Sequence, residues 1–213
     1  MFIKKEEYAF VIGVFVGLLT LLFFYLTRRK SSGRNLLLLG VCEAGKTALF
    51  ARLTQDKAVE TCTSSKENIG QLTCPNKANT TLTVIDIPGH ERVRDKHFEN
   101  TKTSAKAILY VIDSQKLQKQ LRDVTEYLFK ILSSSSISQN RTPLMIVCNK
   151  QDLSMAKGSN YIRKELEKEI QLLRETKSRG LEGTNNEKET DFVYLGRSGQ
   201  DFSFQDLRNK VSI

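Results

Sequence analysis

Three short strings in this sequence combine residue types that can handle a nucleotide. Gly40-Val41-Cys42-Glu43-Ala44-Gly45-Lys46-Thr47, followed by Ala48, fits the pattern GxxxxGK[ST]. Its glycines let the backbone curl so that successive N–H groups converge on phosphate oxygens. Lys46 is expected to bridge the β- and γ-phosphates, and the Thr47 hydroxyl to bind Mg²⁺. Asp86-Ile87-Pro88-Gly89 follows downstream. An acid at a strand's C-terminal edge beside such a loop can hold Mg²⁺ through water, and the N–H of Gly89 can meet the γ-phosphate. A turn-capping Asp would explain the residue type but not its placement after the phosphate loop. Asn149-Lys150-Gln151-Asp152 completes the set. The Asp152 carboxylate can accept from both the ring N–H and the exocyclic amine of guanine, so a wrong base leaves polar groups unpaired. In this order the strings point to GTP or GDP rather than ATP.

The elements that must position these strings follow from hydrophobic pattern. Residues 35–39 read as a buried strand ahead of the glycine-rich turn, and a helix starts over 47–53. Strands are expected at 69–74 and 80–87, joined by a turn at 75–79, and again at 107–113. Leu117, Leu121, Val124, Leu128 and Leu132 form one helical stripe, which 133–136 breaks. Residues 144–148 read as another buried strand. Ile162, Leu166, Ile170 and Leu173 mark an amphipathic helix, and the polar stretch 178–190 reads as a mobile loop. Strands alternating with helices predict an α/β fold with a mainly parallel sheet. No internal repeat is present.

A chain of 213 residues holds one domain of ordinary size and a short appendage. The net charge of +9 comes without aromatic-interleaved basic strands or a recognition-helix pattern, so direct nucleic-acid binding is not expected. The four cysteines form no CxxC pair, which argues against a zinc site or disulfide framework and for a reducing compartment. Residues 8–27 carry no charge and are long enough to cross a bilayer. They end in Tyr25-Leu26-Thr27-Arg28-Arg29-Lys30, which lacks the small-residue cleavage site of a signal peptide. The cationic excess after the span predicts a cytosolic body. The expected organisation is a short N-terminus over 1–7 on the far side, a transmembrane helix over 8–27, a basic linker over 28–34 and a nucleotide-binding domain over 35–213. Gly13 and Gly17 form a GxxxG spacing that could pack a second helix.

The order GxxxxGKT, DxPG, NKxD resembles the Ras-like small GTPases over about residues 35–176. That resemblance implies a six-stranded sheet with helices on both faces and the nucleotide at the C-terminal strand edge. The apolar N-terminal run resembles more narrowly the β-subunit family of signal recognition particle receptors. So do Thr61-Cys62-Thr63-Ser64-Ser65, Asp86-Ile87-Pro88-Gly89-His90-Glu91, Ala107-Ile108-Leu109-Tyr110-Val111-Ile112-Asp113-Ser114, and Cys148-Asn149-Lys150-Gln151-Asp152 with Met155-Ala156-Lys157. What this implies is a GTP-binding anchor in the endoplasmic reticulum membrane, with residues 1–7 lumenal. The receptor α subunit would be held in the GTP state during co-translational targeting, with the protein-conducting channel and the ribosome as further partners. Cys62, Thr63, Ser64 and Ser65 would line the nucleotide, with Thr63 reaching Mg²⁺.

Two departures stand out. Many small GTPases carry Gln after DxxG to orient the attacking water, whereas this chain has His90; His can do the same, and slow GTP hydrolysis is expected, since no arginine finger is marked. The family's Ser-Ala-Lys motif is absent; Arg197-Ser198-Gly199-Gln200 is a weak substitute. The chain stops at Lys210-Val211-Ser212-Ile213, where the last strand would begin. The expectation is therefore a sheet lacking its final strand and helix, with a weakened guanine pocket. The alternatives are a nucleotide-locked binding module without turnover and an Arf-like membrane GTPase in vesicle traffic. Against the latter, Phe2 stands where myristoylation needs a glycine.

Overall fold

The computed structural model describes residues 15, 17, 18, 20, 33–56, 61, 64, 66–74, 80–181, 193–197 and 199–213. The chain divides into two units, Met1–Ser32 and Gly33–Ile213. In the first, Phe15, Gly17, Leu18 and Thr20 are helical. The rest of the expected span, with Gly13, the lumenal segment and most of the linker, lies outside the described residues. Among the described residues no helix is long and apolar enough to cross a membrane.

The second unit is a six-stranded sheet, with β1 (Asn35–Leu39), β2 (Asn68–Cys74), β3 (Thr80–Asp86), β4 (Ala105–Asp113), β5 (Leu144–Asn149) and β6 (Val211–Ser212) in the order β2-β3-β1-β4-β5-β6. Only β2 runs antiparallel, against β3; every other pair is parallel. β1 sits at the centre because Asn-Leu-Leu-Leu-Leu has apolar side chains for both faces of the sheet. Leu37 and Leu39 join the larger core, while Leu38 points the other way, onto Phe50 and Val84.

Among the described residues, five α-helices cover the sheet: α1 (Lys46–Gln55), α2 (Glu91–Thr101), α3 (Leu117–Ser133), α4 (Ser135–Asn140) and α5 (Ser159–Leu181). Phe50 of α1 fills the smaller core, and Phe98 of α2, the α3 stripe and Ile162, Leu166 and Ile170 of α5 fill the larger one. Helices thus lie on both faces. The face of α1 is the thinner: Leu36 and Leu109 are only half-buried there and Met145 is 48% exposed.

Two expectations need correction. The sixth strand is present: Val211 and Ser212 pair with Leu144 and Met145. A buried side chain holds it in place, since Asn209 Nδ2 donates to the carbonyls of Ile137 (3.0 Å) and Thr142 (2.9 Å). α5 continues to Leu181, across the start of the loop expected over 178–190; residues 182–192 lie outside the described residues. Polar composition does not stop a helix that already has a long buried stripe to extend from.

Candidate nucleotide-binding site

β1 delivers the chain to a loop whose conformation depends on glycine. Gly45 has φ +91°, and a Cβ there would collide with the Asn149 side chain. That closeness is structural: Asn149 Nδ2 donates to the Ala44 carbonyl at 2.8 Å, fastening the loop after β5 to the loop after β1. Lys46 is buried and its Nζ donates to the Val41 carbonyl at 2.8 Å, so the ammonium closes across the loop's own curve. Burial lowers its pKa, with the Asp86 carboxylate opposing that shift. A buried cation with one neutral acceptor is a site waiting for negative charge.

Asp86, at the end of β3, faces this loop. Its Oδ2 accepts from Thr47 Oγ1 at 2.8 Å and from Asn68 Nδ2 at 3.0 Å, and Asn68 also reaches Ser64 Oγ at 3.3 Å. The Ser64 and Thr47 hydroxyls lie 3.4 Å apart. Asp86 Oδ1 is buried and has no hydrogen-bond partner. An ionised oxygen in that position costs energy unless something positive meets it. Among the described residues no cluster of three or more His, Cys, Asp or Glu could hold a metal on its own. One hydroxyl and one carboxylate suit Mg²⁺, which keeps waters and takes remaining ligands from phosphates. Mg²⁺ bound here would supply positive charge to phosphate oxygens, and Thr47 and Asp86 would be the residues to hold it.

Gly89 closes the cradle. A Cβ built on it would lie 2.5 Å from Lys46 Nζ and 2.7 Å from the Cys42 backbone nitrogen. Only glycine lets the Ile87-Pro88-Gly89 turn approach the phosphate loop this closely. The resulting cavity, about 460 Å³, is lined by Cys42, Glu43, Gly45, Lys46, Thr47, Ala48, Thr61, Ser64, Ile87, Pro88, Gly89, Asn149 and Lys150.

A second set of contacts stiffens the far side. Lys150 Nζ donates to Asp113 Oδ2 at 2.7 Å, while Asp113 Oδ1 accepts from the N–H groups of Gln115 (2.9 Å) and Lys116 (3.0 Å). Burial pushes the Asp113 carboxyl up, but Lys150 and the two N–H donors outweigh it and hold it below its ordinary range. Lys116 Nζ in turn meets Glu43 Oε2 at 2.6 Å, and Gln151 Nε2 meets Ser114 Oγ at 2.7 Å. The loops after β1, β4 and β5 are thereby linked through side chains.

A family model described as signal recognition particle receptor beta subunit matches residues 31–211. The chain belongs to that family. It is 41% identical over 202 residues to the Homo sapiens signal recognition particle receptor subunit beta, covering 94% of this chain and 74% of that protein. The Mus musculus protein of the same name is 38% identical over 201 residues, with the same coverage. Among solved structures, that of the mammalian SRP receptor aligns with a TM-score of 0.73 and 36% identity, covering 84% of this chain and 88% of that one. The Chaetomium thermophilum SRb-GTP/SRX complex, at 20% identity and TM-score 0.68, shares the fold over 84% of this chain and 91% of that one. The α/β, mainly parallel architecture is the Ras-like GTPase fold of this receptor β family.

Within that frame the expected residues divide. Cys42, Glu43, Gly45, Lys46, Thr47, Ala48, Ser64, Gly89, Asn149 and Lys150 line one cavity and Asp86 is bonded to Thr47 beside it, while Gly40, Val41 and Ala44 are buried and not among the lining residues. Cys62, Thr63 and Ser65 lie outside the described residues. Asp152 is exposed and does not line the cavity. His90 is exposed as well, and its Nδ1 accepts from Arg92 N at 3.3 Å as the cap of α2. Arg197, Gly199 and Gln200 are not among the lining residues, and Ser198 lies outside the described residues; the Arg197 carbonyl accepts from Arg174 on α5 at 2.8 Å. Asn68, Asp113, Lys116 and the position of Thr61 are additions that the three motifs do not contain.

Proposed function

We propose that this chain is the GTP-binding, membrane-anchoring subunit of a signal recognition particle receptor, using Mg²⁺ and tethering the α subunit at the endoplasmic reticulum membrane while GTP is bound. The observation that carries the reading is the pairing of buried Lys46 with the partnerless Asp86 Oδ1 on opposite sides of one cradle. One supplies charge for phosphate and the other for a cation, and both face loops with the family's motifs. Asp152 is assigned the guanine edge, and Thr63 the second hydroxyl toward Mg²⁺. The uncharged run 8–27 is the anchor, with residues 1–7 lumenal and 35–213 cytosolic. The Chaetomium thermophilum structures described as SRb-GTP/SRX and SRb-GDP-Mg are consistent with this nucleotide and metal.

Capture from detergent-solubilised membranes tests it. GTP-loaded chain should retain the receptor α subunit and GDP-loaded chain should not, and Asp86→Asn should remove the Mg²⁺ dependence of GTP affinity. Equal retention with both nucleotides would overturn the tethering, and an unchanged Mg²⁺ titration would overturn the metal assignment.

Hydrolysis through His90 is the expected chemistry, slow without a partner. The ring's role as a helix cap gives a second reading some weight, in which GTP is held without turnover. Multiple-turnover phosphate release, with and without the α subunit, separates the two.

A further inference from the structure

The parallel sheet has a second edge, opposite the nucleotide. β1, β4, β5 and β6 share a direction, so all four begin there. Backbone bonds bring the entering segments side by side: the Arg34 carbonyl accepts from Thr83 N (3.4 Å), Pro143 from Ile108 N (3.0 Å) and Lys210 from Leu144 N (3.0 Å). On these segments stand Arg34, Lys106, Arg141, Arg208 and Lys210, all exposed. None of the five forms an ion pair among the described residues. Of the acids near these segments, Glu99 pairs with Lys102 at 2.7 Å and Asp206, just before Arg208, pairs with Arg197 at 3.2 Å, while Asp56, after the last turn of α1, is exposed.

Nucleotide chemistry makes no use of this surface. Five like charges gathered from four segments repel one another, and a structure tolerates that where an anionic partner offsets it. Two kinds of anionic surface compete. Nucleic acid is disfavoured because the exposed aromatics among the described residues of this unit, Tyr161 and Tyr194, lie on none of these segments. A lipid surface is favoured by continuity: the body begins at Gly33 on this edge, immediately after Arg28-Arg29-Lys30 and the uncharged run 8–27.

We propose that this sheet edge is a docking surface for anionic lipid headgroups, which turns the nucleotide cavity away from the bilayer. The proposal rests on the membrane anchoring above. Each cation within a Debye length of an anionic leaflet adds attraction, and added salt removes it.

The test uses the full chain in nanodiscs of phosphatidylcholine alone or with about 30% phosphatidylserine, a surface of cytoplasmic-leaflet character. Amine acylation of Lys106 and Lys210 is read by mass spectrometry, with Lys164 and Lys168 on the exposed side of α5 as internal references. The expected result is severalfold lower labelling of Lys106 and Lys210 in the anionic discs, restored by about 0.5 M salt, with the references unchanged. Arg34→Gln/Arg141→Gln/Arg208→Gln keeps both reporter lysines and should lose most of the protection. Equal labelling in the two discs would overturn the proposal, and so would protection by single-stranded RNA but not by phosphatidylserine. Extraction by alkaline carbonate separates this from the anchor itself: a chain that is stripped off has no span. Salt-sensitive protection of the same lysines by phosphatidylserine vesicles would still establish the surface.

Discussion

Lys46 and Gly89 face each other across the phosphate cradle so closely that a single added methyl at Gly89 would touch the Lys46 ammonium. The cation is buried, with a backbone carbonyl as its hydrogen-bond acceptor. Lys46→Met should therefore separate stability from binding. The change removes the charge for phosphate, so affinity for a fluorescent GTP analogue should fall below detection. It also removes the cost of burying an ammonium, and a gain on the order of 1 kcal/mol would raise the nucleotide-free melting temperature by about 2–4 °C. Retained affinity would move the phosphate site elsewhere.

Gly89→Ala should damage the same site from the other side. The new Cβ meets the backbone nitrogen of Cys42, which cannot swing aside as a side chain could. Overpacking of this kind costs about 1–3 kcal/mol, and the displaced turn should also weaken GTP. Thermal melts and nucleotide titrations of the variant would check both; an unaltered protein would mean the turn is looser than its contacts indicate.

The clamp on Asp113 makes a pH prediction. Its carboxyl is held below the ordinary value of 3.8 by Lys150 and two backbone N–H groups. A depressed acid contributes stability that is complete above its unfolded value and is lost as pH falls through its folded value. Asp113→Asn should therefore lower stability near pH 7 and flatten the loss between about pH 4 and more acidic conditions. Denaturant melts across that range would show parallel curves if the pair did not matter.

Asn209 is expected to be the most sensitive polar residue near the end of the chain. It is buried and donates to two carbonyls, fixing the approach to β6. Asn209→Ala leaves both without that donor and should cost about 2–4 kcal/mol, since each unsatisfied buried group costs roughly 1–3. Chemical denaturation would register it; a loss under about 0.5 kcal/mol would indicate that β6 is held by other contacts.

Reading these residues from sequence succeeds where pattern and chemistry coincide. The string Asn35 to Thr47 announces both strand and loop, because an apolar run buried on both faces must stop where glycines begin. α2 is invisible in the sequence: Glu91–Thr101 is polar almost throughout and is held by Phe98 and by Arg94, which pairs with Asp123 at 2.7 Å while lying over the Tyr127 ring. No periodicity betrays a helix anchored through a buried guanidinium. α4 reads as a break because its serines favour turns, yet its own Ile137 is fully buried in the core. Asn68 and Asp113 are ordinary polar residues until the sheet brings them beside Asp86 and Lys150. Their roles exist only in three dimensions. Asp152 shows the reverse case, a residue evident in the motif yet exposed and not among those lining the cavity.

The central place of β1 has a consequence for how the domain is made. It is the first strand of the body to be synthesised, yet its neighbours are β3 and β4. The end of β4 follows roughly 70 residues later, which at about 5–20 residues per second is roughly 4–15 s. For that interval Leu36 to Leu39 lack the neighbour on one side, and the hairpin of β2 and β3, local in sequence, is free to form before β1 joins it. The same leucines that make the core tight are thus the segment most in need of shelter during birth.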